Sequence, residues 1–152
     1  VTHCPECHAP SVPRSCEDLF QKLLALDHSR QPPWGPLHGV SVSCFLLQHH
    51  SRIPAAGAAA PWAILHAYLE GGLDSVNRRT GRARRSNSHR GHDNAPVTTL
   101  GTAVPATNRP PTRFRYTITD VAQDGGFPAS GFPERVQAWA AATVDAWTSR
   151  PS

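Results

Sequence analysis

The chain reads as mainly α, a compact four-helix-like single domain over residues 1–152 with one short β element and a long Arg-rich insertion. Three observations lead there. Apolar residues recur at 3.6-residue spacing near both ends of the chain. Capping residues and Pro/Gly breaks bound those runs. The length of 152 residues suits one domain of ordinary size.

The first helix is expected from Cys16 to Asp27. Ser15 stands at the N-cap, and Asp18 three residues later completes a capping box. Glu17 and Asp18 place negative charge at the positive end of the helix dipole. Leu19, Phe20, Leu23, Leu24 and Leu26 form its apolar face, and Gln31-Pro32-Pro33 stops it. From Leu37 to His50, Val40, Val42 and Cys44 alternate with serines as in a strand, whereas Phe45-Leu46-Leu47-Gln48 reads as helix. The stretch is longer than an ordinary strand, which favours helix. A third helix fits Pro61 to Glu70, with Pro61 in the first turn and Gly71-Gly72 at the stop. Residues 75–108 lack sustained periodicity and read as a flexible insertion. Phe114-Arg115-Tyr116-Thr117-Ile118 alternates and is expected to be a short strand. The last helix follows Pro133, with Val136, Trp139, Ala140, Thr143, Val144 and Trp147 on one face.

Charge is unevenly distributed. The net charge is +4, yet Ser75 to Arg115 holds nine arginines against the single acid Asp93, and the remainder of the chain is acidic on balance. Lys22 is the only lysine and methionine is absent, a bias expected of a GC-rich bacterial coding sequence. Ala55 to Leu69, the best membrane candidate, is broken by Gly57 and Pro61 and falls short of roughly 20 apolar residues. No charged-then-apolar leader opens the sequence. A cytoplasmic protein with no membrane partner is therefore expected.

Four cysteines in such a chain point to metal or redox chemistry before disulfides. Cys4-Pro5-Glu6-Cys7 has the C-x2-C spacing that lets two thiolates on one tight turn share a tetrahedral ion. Cys16 falls at the first position of the first helix, where backbone N–H groups favour thiolate. His38, after the Pro-rich loop, is the expected fourth ligand, giving a Zn2+ site of Cys4, Cys7, Cys16 and His38. His49 is the competing donor. Within one helix the two histidines stand about 16 Å apart, so they cannot share an ion. A redox C-x2-C normally opens a helix after a strand, and neither neighbour is expected here. Cys44 reads as a small buried residue. His66 reads as a core histidine. His3 and His8 flank the knuckle, and His89 and His92 fall within the insertion. Asp27-His28 could pair as acid and base, but adjacent helical residues point in different directions.

These residues resemble a known family. Cys4-Pro5-Glu6-Cys7, Cys16, and Leu37-His38-Gly39-Val40 through Cys44-Phe45-Leu46-Leu47-Gln48-His49 are similar to an uncharacterised bacterial domain-of-unknown-function family of short proteins. That family joins a CPxC-type knuckle to an H-x-x-x-V…LQHP signature. Phe127-Pro128-Ala129 and Arg135-Val136-Gln137-Ala138-Trp139-Ala140, ending at Trp147, resemble its closing RVxxWA…AW helix. His50 stands where the family usually has proline. The resemblance implies a single domain with functional weight on Cys4, Cys7, Cys16, His38 and His49, and brings no known reaction.

Three functions are compatible with these features. The first is a zinc-stabilised binding or regulatory protein, whose partner is another protein or a small molecule. The second is a small metalloenzyme acting on a specialised metabolite, with His49, His66 and Glu70 near the metal. It lacks H-E-x-x-H, G-x-S-x-G and a phosphate-cradling glycine loop. The third is nucleic-acid binding through Arg78-Arg79 and Arg82-Ala83-Arg84-Arg85. It is not favoured, because no aromatic residue precedes Phe114 in that segment and no recognition helix is evident.

Overall fold

The computed structural model describes residues 2–90 and 109–149, with side chains placed outside 80–90. Among the described residues five helices carry the fold: α1 (Cys16–His28), α2 (His38–Gln48), α3 (Ala59–Arg90), α4 (Ile118–Val121) and α5 (Phe132–Ser149). A short 3-10 turn, His50–Arg52, follows α2.

The expected start of α1 is present in detail. Ser15 Oγ accepts from the Asp18 backbone N–H, and the Asp18 carboxylate accepts from the Ser15 N–H. Leu19, Phe20 and Leu23 are buried on one face. α2 lies at the centre, packed on α3, α5 and α1. It buries Val40, Ser41, Ser43, Cys44, Phe45, Leu47 and Gln48, so nearly its whole circumference is covered. Small serines suit such a helix because neighbouring backbones can approach closely. Ser43 Oγ donates to the Gly39 carbonyl at 2.8 Å and is thereby satisfied.

α3 begins as expected, then breaks at Gly71 and Gly72. Gly72 has φ 68° and ψ −160°, a conformation essentially reserved for glycine. Helix resumes and runs to Arg90, into the first part of the segment expected to be a flexible insertion. The remainder of that segment, 91–108, lies outside the described residues, as does His92.

The expected β element is corrected. No strand occurs among the described residues; there are only isolated bridges, His3 with Pro10 and Gln123 with Gly126. The alternation at Phe114–Ile118 has no partner strand among the described residues to ladder with. Instead Thr117 opens α4 through a second capping box with Asp120. The Tyr116 carbonyl is satisfied by the Gln48 side chain at 2.9 Å.

α5 closes the core with Val136, Trp139, Ala140, Thr143 and Trp147. Its Trp147 Nε1 donates to the Leu47 carbonyl at 2.8 Å. Arg135 ties the preceding loop to α4 by donating to the carbonyls of Val121, Ser130 and Pro128. No helix among the described residues is long and apolar enough to cross a membrane.

Candidate metal centre

The N-terminal turn is built by backbone hydrogen bonds. Cys4 N–H donates to the Ala9 carbonyl at 2.7 Å, and His8 N–H donates to the Cys4 carbonyl at 2.9 Å. His8 takes φ 69° to close the turn, and its ring stacks on His3. Both histidines stay outside the cluster that the turn creates.

That cluster consists of Cys4, Cys7, Cys16 and His49, whose ligand atoms all lie within 4.8 Å of one another. It can coordinate a metal ion. Cys7 and Cys16 sulfurs are 3.6 Å apart. A tetrahedral ion with bonds of about 2.3 Å sets its sulfurs about 3.8 Å apart, so this edge is already at coordination length. Cys16 contributes from the first position of α1, at the positive end of the helix dipole. All four cysteines are free thiols.

His49 supplies the clearest sign of a ligand position. It caps α2, is 4% exposed and stacks on Phe45, which itself stacks on Phe20. Its Nδ1 is 2.8 Å from the Phe45 carbonyl, a contact that requires the proton on Nδ1. Nε2 is then a bare acceptor, buried and without a hydrogen-bond partner. A metal-bound histidine shows this division of roles, with one nitrogen donating to a carbonyl and the other carrying the lone pair to the ion.

The electrostatics fit the same picture. The Cys16 thiol hydrogen-bonds to Cys7 and holds Cys7 well below the ordinary thiol range, aided against burial by the Ala9 N–H. Donating that bond, together with burial and the charge on Cys7, pushes Cys16 up. One proton is thus held between two sulfurs, and a divalent cation would displace it. Burial alone would raise Glu6, but hydrogen bonds from the Ser51 N–H and hydroxyl, at 2.8 and 2.9 Å, leave it lowered. Glu6 therefore fastens the knuckle to the turn after α2. Arg52 lies over the Phe45 ring and pairs with Glu17, fastening that turn to α1.

His38 is elsewhere. It opens α2 while His49 ends it, and its Nδ1 is 2.8 Å from Asp27 Oδ2. The structure thus brings Cys4, Cys7 and Cys16 together with His49 and places His38 in a separate hydrogen-bonded pair with Asp27. Asp27 pairs with this histidine rather than with the adjacent His28. Burial pushes the Asp27 carboxyl up, and the bond from His38 pulls it partly back. Cys44 is fully buried and outside the cluster, and burial raises its thiol strongly. His66 packs against Trp62 with its Nε2 buried and unpartnered. Neither His66 nor Glu70 belongs to a metal-capable group among the described residues.

Fold and site together define a small helical protein with an N-terminal Cys3His metal-binding cluster. The family model described as "Family of unknown function (DUF5946)" matches residues 2–148, and the chain belongs to that family. No curated protein and no solved structure matches the chain.

Proposed function

We propose that Cys4, Cys7, Cys16 and His49 hold a structural Zn2+ ion in a small cytoplasmic protein whose role is binding or regulation. The observation carrying this reading is the completeness of the donor set. Three sulfurs and one imidazole nitrogen fill a tetrahedral shell and leave no position for water or substrate. The chemistry of the donors favours zinc, since thiolate-rich tetrahedral sites select zinc or iron over hard cations. Unbridged thiols suit a reducing compartment. When bound, the ion would fasten the N-terminal turn to the start of α1 and the end of α2. Three segments distant in sequence would then share one anchor in a domain of modest size. The alternative of a metalloenzyme is weakened because His66 and Glu70 are not in the cluster.

Metal analysis of the purified chain tests this. One equivalent of zinc is expected, with loss of helical circular dichroism when a strong chelator removes it. A protein that keeps its fold and thermal transition after complete zinc removal would show that the metal is not structural.

A further inference from the structure

A second group of reactive side chains sits at the opposite end of α2, in a cavity of about 450 Å³ lined by Asp27, His28, Arg30, Gly35, Pro36 and His38. We propose that Asp27 and His38 form a proton-transfer site in this cavity, acting on a small oxyanion that carries an O–H group.

The two members are placed very differently. The Asp27 side chain is 1% exposed, while that of His38 is 49% exposed. The carboxylate therefore works from behind the ring, and the rest of the imidazole faces outward. With Nδ1 donating to Asp27 Oδ2 at 2.8 Å, the lone pair of neutral His38 is on Nε2. A buried carboxylate that fixes the tautomer of a half-exposed imidazole is the arrangement by which a histidine is oriented as a general base. Asp27 has a second indication of a ligand. Its other oxygen, Oδ1, is buried without a hydrogen-bond partner in a residue that is only 5% exposed. A donor on a bound molecule would satisfy it.

The cavity also indicates the charge of that molecule. Asp27 Oδ2 is engaged by His38 Nδ1 behind the ring. The other lining residues include the cationic Arg30 and His28, beside the start of α2. α2 has no side-chain N-cap and no acidic residue in its first turn, so no carboxylate of its own offsets its positive end. The loop that carries Arg30 is tightly built. Arg30 takes φ 59°, and any side chain at Gly35 would meet the Arg30 backbone at 2.8 Å. The volume is within the range of small-molecule sites.

The step balances simply. His38 Nε2 takes the proton of the bound O–H group. That O–H bond breaks with its electron pair left on oxygen, an N–H bond forms, and the resulting imidazolium is stabilised by Asp27. Arg30 holds the oxyanion. His38 is the catalytic residue and Asp27 the positioning residue. The site draws nothing from the Cys3His cluster, which is at the far end of the helix.

The test uses the full chain loaded with zinc, with inorganic phosphate as the anion probe. Long-range proton–nitrogen spectra report the tautomer of each histidine, and mass spectrometry follows ethoxyformylation by diethyl pyrocarbonate. His38 is expected to carry its proton on Nδ1 and to react about threefold or more faster than His3 and His50, as an oriented free Nε2 should. Phosphate is expected to slow that reaction saturably, and Arg30→Ala to abolish the protection. Asp27→Asn is expected to shift His38 toward the other tautomer at temperatures where the variant remains folded, which a packing defect alone would not do. If that variant does not fold, the wild-type tautomer and Arg30→Ala decide. A proton on His38 Nε2, ordinary reactivity, or no effect of phosphate overturns the proposal.

Discussion

Exchanging His49 for alanine should separate the two histidines of α2 by their relation to the metal. Structural zinc in small domains is worth about 10–16 kcal/mol at neutral pH. Divided over four ligands, loss of one costs roughly 3 kcal/mol, or about a hundredfold in affinity. His49→Ala also removes a 4% exposed ring stacked on Phe45 at 4.1 Å, which costs about 2–4 kcal/mol even without metal. The two contributions are resolved by competition with a chromophoric chelator, alongside denaturation of the zinc-loaded and zinc-free forms. The metal-dependent part should fall by about 3 kcal/mol in His49→Ala and stay within about 0.5 kcal/mol of wild type in His38→Ala. Equal zinc affinity in wild type and His49→Ala, or an equivalent loss in His38→Ala, would refute the assignment of His49 to the ion.

Other outcomes follow from individual contacts. Cys44, fully buried, should resist iodoacetamide as long as the zinc-loaded protein stays folded; mass spectrometry showing early Cys44 alkylation in folded protein would contradict its place in the core. Gln48→Met preserves approximate volume but leaves the Tyr116 carbonyl without the Gln48 donor, so urea denaturation should show a loss of about 1–3 kcal/mol. Gly72→Ala should cost about 1–3 kcal/mol through backbone strain alone, because nothing lies within 4 Å of the added methyl. Glu6→Gln should cost about 1 kcal/mol at neutral pH, discounted for its partial exposure. The folded pKa of Glu6 is lowered, so its contribution is present above the unfolded value and lost as pH falls through the folded one. The deficit of Glu6→Gln in denaturant titrations should therefore shrink toward acid pH, and a pH-independent deficit would contradict this origin.

The parts of the fold that are determined locally were readable from residues alone. Ser15 and Asp18 announce α1 because a capping box needs only four consecutive positions. The Thr117–Asp120 box was equally local, yet the alternation of Phe114, Tyr116 and Ile118 obscured it. A strand depends on a partner that may be anywhere in the chain, so alternation without a partner is weak evidence. The serines of α2 make its stretch ambiguous for another reason, although its length points correctly to helix. Alternation of small polar and apolar residues suggests one buried face, but α2 is covered on almost every side and has no solvent face to mark with charge. The cysteines of the cluster could be anticipated from their spacing and from the helix start. The choice between His49 and His38 depended on which end of α2 returns to the N-terminal turn, and no local pattern records that.

The spacing of His38 and His49 in the chain nevertheless carries the constraint that separates them. Eleven residues of helix hold them about 16 Å apart, too far to serve one ion. The chemistry at each end agrees with the helix polarity. His38 stands at the positive N-terminus of α2, and the buried carboxylate beside its ring comes from the end of α1. His49 stands at the negative C-terminal end of α2 and Cys16 at the positive start of α1, so the cluster lies between helix ends of opposite polarity. α1 and α2 thus run between the same two sites, each giving a metal-cluster residue from one end and a dyad residue from the other. A substitution that tilts α2 against α1 would have to disturb both, whereas one that removes a single donor would disturb only its own end.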